Sequence, residues 1–255
     1  MSWRNVLILL MLMLFIAGLG ILLYPFIQGA MVDRQISMNA QAFLEEKDAQ
    51  TQSHAIIVPD STEGTDPEVA LPDKYPELYL AMQDYNAQIW EEKQSGLCDP
   101  WSYEQPSFDL TEYGISDEVF GVISIPALQL EMPIFLGATS QHMADGAAHL
   151  SQTSLPVGGN NTNCVIAGHR GYNGASYFRY ITDLQVGDTV TITNLWETIS
   201  YTVTSTDIIE PTDVSKILIQ ENREMLTLLT CHPYASGGRQ RYVVYCERTN
   251  EMEVI

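Results

Sequence analysis

The sequence predicts a mainly β fold: a closed barrel of about eight short strands with short helices, preceded by N-terminal helices and one transmembrane helix. Three observations carry this expectation. From Tyr113 onward, short apolar or alternating runs follow one another, separated by Gly, Pro, Asn and Asp turns. Helical periodicity is concentrated before that point. Near the start, residues 6–26 form an uncharged apolar run of 21 residues, long enough to cross a bilayer as a helix. Closure into a barrel is expected because so many short strands would otherwise leave exposed edges.

The elements follow in order. The apolar run begins after Arg4 and stops before Asp33 and Arg34. A signal peptide is the competing reading, with Gly29-Ala30 as a weak cleavage candidate; the length of the run favours an uncleaved anchor. Arg4 on the short side predicts a cytoplasmic N-terminus and an extracellular remainder. Residues 33–52 have helical character, with Ile36, Ala40, Phe43 and Leu44 on one face. Residues 54–73, rich in Pro, Thr, Ser, Asp and Glu, read as a linker. A second helix is expected over 76–94, opened by Pro76, with Leu78, Met82, Tyr85 and Ile89 on its apolar face, and ended by Ser95-Gly96. Strands are expected over 119–125, 128–136, 164–168, 189–193, 198–208, 225–231 and 241–247, with a helix over 176–184. The domain reading is an anchor over 1–30, a helical and linker region over 31–112, and a barrel over 113–255.

Charge narrows the function. Lys and Arg number 12 and Asp and Glu 32, a net charge of −20. Nucleic-acid binding needs clustered positive charge and is excluded on that ground. Of the four cysteines, Cys98, Cys164, Cys231 and Cys246, none forms a CxxC pair, so no zinc site is expected, and no other metal or cofactor pattern is visible. Cys164 and Cys246 read as buried strand thiols; a disulfide from Cys98 to one of them stays open.

The chemistry concentrates in TLLTCHPYASGGRQRYVVYCER, residues 227–248. Cys231 ends a strand-like run and enters a Pro/Gly turn, a position suited to an exposed nucleophile. Arg241 opens the next run ten positions later (241 − 231), across the turn. A guanidinium there is suited to hold negative charge forming beside the thiol. Arg239 is its rival, but lies inside the turn, where its direction is poorly fixed. The candidate base is His169 in GHRG, at the end of the apolar run NCVIAG. His232 is a weaker candidate, since neighbours on a strand point to opposite faces. His149 reads as structural, Arg170 as a packing or peptide-binding residue, and Thr230 either as a hydrogen-bond donor near the thiol or as a plain strand residue.

TLLTC followed by PY, a Gly-rich turn and an Arg-led strand resembles the signature of the sortases, cysteine transpeptidases of Gram-positive cell surfaces. GVISIPALQLEMPIFLGAT resembles the family's first barrel strands, and GAAHLSQTSLPVGGNNTNCVIAGHRG the segment leading to its catalytic histidine. The likeness runs from about Tyr113 to Glu247. Asp99-Pro100-Trp101 resembles the lid of class C, the pilus-building members; carried over, residues 98–103 cover the site, with Asp99 against Arg241 and Trp101 over Cys231. Three features depart from that subclass. No second hydrophobic segment follows the last strand, the Cys-to-Arg turn is one residue longer, and Gln240 stands where a His often precedes the Arg.

The resemblance implies that Cys231 attacks the Thr carbonyl of an LPxTG-like sorting signal, that His169 shuttles the amine protons, and that Arg241 stabilises the oxyanion or orients the peptide. The acceptor is then an amine: a pilin lysine, or the cross-bridge amine of a peptidoglycan precursor. Two other classes stay open on the residues alone. One is an anchored barrel that binds without catalysis and merely buries Cys231. The other is a cysteine hydrolase that releases its peptide to water.

Overall fold

The computed structural model describes residues 3–54, 71–97, 109–115 and 118–249. A single helix, α1 (Trp3–His54), replaces the two expected segments, with Pro25 inside it. Proline removes one helical hydrogen bond, but no turn-forming cluster follows it, and the helix continues. One face of the second half packs on the barrel: Ile36 and Ala40 are buried, and Val32 lies against the main core. Lys47 Nζ donates to the Asn194 carbonyl at 2.8 Å, fixing the upper part of the helix.

Helix α2 (Pro76–Glu91) has Pro at its first turn and buries Leu78, Met82, Asn86 and Ile89, positions that share one helical face. Asn86 brackets residue 155: its Oδ1 accepts the Leu155 N–H at 2.7 Å, and its Nδ2 donates to the Leu155 carbonyl at 3.3 Å. The helix ends three residues earlier than the pattern predicts, because Lys93 and Gln94 adopt positive φ of 53° and 50°. Gln94 then pins the exit, donating to Gln152 O at 3.0 Å and accepting the Ile219 N–H at 2.6 Å.

Eight strands close the barrel: β1 (Val119–Ile125), β2 (Leu130–Leu136), β3 (Ala147–His149), β4 (Thr162–Ala167), β5 (Thr189–Asn194), β6 (Thr198–Ile209), β7 (Glu224–His232) and β8 (Gln240–Arg248). Their order around the wall is β1-β2-β3-β4-β7-β8-β6-β5, and β5 returns to β1. The pairs β2/β3 and β4/β7 are parallel; the others are antiparallel. The alternation expected over 198–208 holds in the first half of β6, whereas β2, expected to alternate as well, is buried on both faces over Met132–Leu136. In β6, Ile199, Tyr201 and Val203 enter the barrel core with Leu226 and Leu228 of β7 and Val244 and Cys246 of β8. The opposite faces of β4, β7 and β8 carry a second, outer cluster of Leu150, Val165, Ile209, Ile217, Leu229 and Val243, against which Leu97 packs.

Two elements escaped the sequence reading, β3 and the short helix α3 (Ser140–Asp145). Three residues of Ala-Ala-His are too few to show a period. The helix expected over 176–184 is a series of turns with one 3-10 turn, Ile181–Asp183. Phe178, Ile181 and Leu184 are buried at a spacing of three, which resembles a helical stripe, but Tyr177 at φ 44° interrupts any helix.

His149 is buried beneath the turn that follows β3. Its Nε2 lies 3.2 and 3.1 Å from the carbonyl oxygens of Thr153 and Ser154. Burial pushes its pKa down to about 4, so the ring is neutral in the folded protein. The unfolded chain, with an ordinary histidine near 6.5, binds the extra proton first. The contribution to stability is therefore full above pH 6.5 and is lost as pH falls towards 4; it amounts to about 3 kcal/mol. Urea midpoints at pH 7 and pH 4.5 should differ by less in a His149→Gln variant than in the parent. An unchanged difference would show that another group carries the acid sensitivity.

Candidate active site

The hairpin of β7 and β8 meets β4, a strand distant in sequence, on the outer face of the barrel. Cys231 and Arg241 are direct cross-strand partners in the β7/β8 pair, so their side chains leave the sheet on the same side. This is the side of Leu229 and Val243, not the barrel interior. Arg241 is 5% exposed. Its Nη1 donates to the carbonyls of Gly238 at 2.7 Å and Gln240 at 3.1 Å, and lies 3.8 Å from Cys231 Sγ. The turn that closes this geometry needs glycine: Gly238 has φ 74°, and a Cβ there would stand 3.0 Å from Cys231 Sγ and 3.2 Å from Arg241 Nη1. Arg239, the rival in the turn, is exposed.

The parallel β4/β7 register supplies the third group. Val165 is opposite Thr227 and Ala167 opposite Leu229. Gly168 N–H still donates to Leu229 O at 3.1 Å, and Thr230 Oγ1 donates to Gly168 O at 2.7 Å. Extended two residues past Ala167, where β4 ends, the same register puts His169 level with Cys231. His169, just beyond β4, thus stands in line with the Cys231–Arg241 cross-strand pair of β7 and β8. Thr230 ties the two strands together; its hydroxyl goes to Gly168 rather than to the thiol. Phe178, whose ring would overlap any side chain at position 168, and whose N–H donates to His169 O at 2.9 Å, braces the histidine from below.

His169 is half-buried. Tyr172 stacks on its ring at 4.5 Å with 19° between planes, and Tyr177 meets it edge-on at 5.8 Å. This burial lowers the His169 pKa and favours the neutral imidazole at rest. His232 belongs to a different contact: its Nδ1 lies 2.6 Å from Arg170 Nη1. Burial and that guanidinium both lower the His232 pKa, so the ring accepts the arginine hydrogen bond as a neutral group. Arg170 Nη1 is also 3.5 Å from Cys231 O. Arg170, which the sequence reads as a packing or peptide-binding residue, therefore links the segment after β4 to the end of β7. Tyr172 and Gly238 were missed outright, because a stacked ring or a close backbone approach leaves no mark on spacing.

Cys164 and Cys246 are free and buried, and burial raises both thiols well above the ordinary range, that of Cys246 to about 12. They are inert core residues; Cys231 is the free cysteine at the surface among the described residues. Asp99, Pro100, Trp101 and Cys98 lie outside the described residues. The chain leading to them is described, and Leu97 packs on the outer cluster with Leu229 and Val243, the face that also carries Cys231 and Arg241.

Residues 123–249 match the family model of the sortase domain. The curated relatives include Sortase D of Bacillus subtilis, 29% identical over 130 residues, which are 50% of this chain and 63% of that protein. Sortase A of Bacillus anthracis is 27% identical over 159 residues, 61% of this chain and 72% of that protein. The match thus spans under two-thirds of the Bacillus subtilis relative. Among solved structures, a pilus-related sortase C of Group B Streptococcus aligns with a TM-score of 0.62 at 31% identity, covering 69% of this chain and 90% of that one. Sortase C-1 of Actinomyces oris aligns at 0.61 and 28%, covering 69% and 98%. The likeness extends over nearly all of these class C structures. The chain belongs to the sortase family.

Proposed function

We propose that this protein is a membrane-anchored cysteine transpeptidase that cleaves an LPxTG-like sorting signal between Thr and Gly and passes the acyl group to an amine. The observation that carries the reading is the Cys231–Arg241 pair across β7 and β8, with His169 two residues past β4 in the register that aligns β4 with β7. In this reading residues 1–30 anchor the chain, 31–112 brace and cover the barrel, and 113–255 carry the chemistry. Arg4 keeps the N-terminus in the cytoplasm and the barrel lies outside.

The reaction follows from the chemistry of imidazole, thiol and guanidinium. Neutral His169 takes the Cys231 thiol proton; the thiolate then attacks the Thr carbonyl carbon, a C–S bond forms, and the carbonyl electron pair moves onto oxygen. Arg241, anchored by Gly238 and Gln240, meets the resulting oxyanion. When the oxyanion collapses the C–N bond breaks, and His169 gives its proton to the departing Gly amine. The acyl group is now a thioester. An incoming neutral amine attacks it, His169 takes the amine proton, the C–S bond breaks as an amide forms, and His169 returns the proton to the Cys231 sulfur. Class C structural relatives support a pilin lysine as the acceptor. A wall-anchoring reaction on a peptidoglycan precursor amine is the second reading, supported by similarity to Sortase A and Sortase D.

The test is to incubate the protein with an LPxTG peptide, with and without an amine acceptor. An amine-linked product is expected. Cleavage that yields only the free acid would leave a hydrolase, and no cleavage of any sorting peptide would leave a binding barrel. Comparing a pilin-derived lysine peptide with a cross-bridge peptide separates the two acceptors.

Arg241→Ala is expected to lower kcat/KM by about 10²–10³-fold, the usual loss for one oxyanion donor. Arg241→Lys should recover little, since a lysine cannot reproduce the planar fork. Peptide-cleavage rates check both, with thiol labelling as the control that Cys231 remains in place. Activity close to the parent in the alanine variant would remove Arg241 from the chemistry.

For the segment 98–103 we propose a lid. The support is Leu97, which delivers the chain onto the face of Cys231. Asp99→Ala combined with Trp101→Ala should raise both the labelling rate of Cys231 and the rate of peptide cleavage. Unchanged labelling would sink the lid.

A further inference from the structure

The loop that follows His169 reaches down to the membrane end of α1. Gly174 sits against the helix so closely that a Cβ on it would lie 2.5 Å from the Pro25 carbonyl oxygen, and Gly29, buried on the helix, faces it in return. Asp33 Oδ1, one turn above Gly29, accepts the Ser176 N–H at 2.8 Å. Pro25 lies inside the apolar run of residues 6–26, which is about 31 Å long as a helix, the thickness of a bilayer core. The loop tip is therefore level with the edge of the hydrocarbon.

Around that tip stands an exposed aromatic and cationic rim. Tyr172, Tyr180 and Tyr234 are 42%, 49% and 49% exposed. The Arg179 guanidinium lies 4.3 Å over the Tyr234 ring and 5.7 Å from that of Tyr180. Tyr234 and Arg179 both border Gly171, while Tyr180 and Arg34 line the same cleft of about 730 Å³ beside the α1 exit. In a chain of net charge −20, Arg34 and Arg179 stand here; of the acidic residues lining the cleft, Asp33 is engaged by Ser176 and Glu131 lies on the barrel side. Tyrosines with apolar bodies and polar tips suit the headgroup layer, and arginines suit its phosphates.

We propose that this rim is a membrane-seated surface: Tyr172, Tyr180, Tyr234 and Arg179 rest in the headgroup layer of the bilayer that α1 crosses. The proposal rests on the reading of α1 as the membrane anchor. Because Tyr172 stacks on His169 at 4.5 Å, the acid/base side chain then works one ring away from lipid, at a height set by the Gly29–Gly174 contact.

The test uses the full chain in bilayers of phosphatidylcholine and phosphatidylglycerol. Single spin labels are placed by Ile16→Cys, Tyr180→Cys, Tyr234→Cys or Thr198→Cys, in a Cys98→Ser, Cys231→Ala background. Thr198 pairs with Thr193 beside the Asn194 carbonyl that Lys47 holds, about 27 Å along α1 from Gly29, and serves as the distal reference. Labels at 180 and 234 are expected to collide with a water-soluble nickel reagent several-fold less often than the label at 198, and Arg179→Glu should raise the collision rate at 180. Labels at 180 and 234 as open to nickel as the label at 198, with the label at 16 buried in lipid, would overturn the seated rim alone. A label at 16 open to water would overturn the anchor, and the rim with it.

Discussion

Cys231→Ala is expected to abolish formation of both the thioester and the joined product, with a loss of at least about 10⁴-fold in kcat/KM. A peptide amide is a poor electrophile, and of the three groups only the sulfur can attack it: imidazole and guanidinium are placed to move protons and hold charge. Cys164 and Cys246 cannot substitute. Both are buried in the barrel interior, and burial holds both as thiols. The measurement is accumulation of amine-linked product from a sorting peptide and an acceptor, backed by mass spectrometry of the trapped acyl-enzyme. Product at the parental rate would mean that the sulfur on the outer face is a bystander. Cys231→Ser is an informative companion. Its hydroxyl is nearly isosteric but much harder to ionise, so it should fold like the parent and remain nearly as inactive as the alanine variant.

His169→Ala should cost about 10²–10⁴-fold, the range for losing a positioned acid/base. The structure adds a pH signature. Burial under Tyr172 and beside Tyr177 lowers the His169 pKa, so the ring stays neutral to lower pH than a solvated histidine. The acid limb of the kcat/KM profile, which reports that titration in the free enzyme, should therefore have its midpoint below 6.5, and activity should fall as pH drops through it. Tyr172→Ala removes the stacked ring and admits water. Its acid limb should move up towards 6.5, a shift that loss of general stability would not produce. A parental midpoint at or above 6.5 would refute the burial argument, and a full-rate His169→Ala enzyme would remove the residue from the mechanism. His232 offers a control: it bonds to Arg170, so His232→Ala should leave the acid limb in place.

Much of the fold was legible because strand burial has a local period. Ile199, Tyr201 and Val203 alternate in the sequence and enter the same core in the structure. The misreadings share one cause, which is tertiary contact overriding a local pattern. The stretch around Phe178 shows apolar spacing that suits a helix, yet it is held as turns by a left-handed Tyr177 whose hydroxyl donates to the Ala144 carbonyl. The strand Ala147–His149 exists because β2 and β4 flank it, not because Ala-Ala-His favours extension. The helix α1 runs past the expected break because one face of it, at Val32, Ile36 and Ala40, finds the barrel wall.

The sequence by itself determined most of the strands and the N-terminal helices, the long apolar span, the acidic balance, and the residue types able to perform acyl transfer: one cysteine at a strand end, a histidine after a buried strand and an arginine opening the next. These are short-range properties, set by side-chain period, turn chemistry and ionisation. Only the tertiary structure decided which groups meet. The β4/β7 parallel pairing joins residues more than sixty positions apart, and its register is a property of two strands together. That pairing carries the chain of His169 to the level of Cys231, and the packing around it leaves His232 against Arg170 and the Thr230 hydroxyl on Gly168. It likewise took packing to rest the loop of the histidine on α1, since two glycines reveal a close approach only when something approaches them.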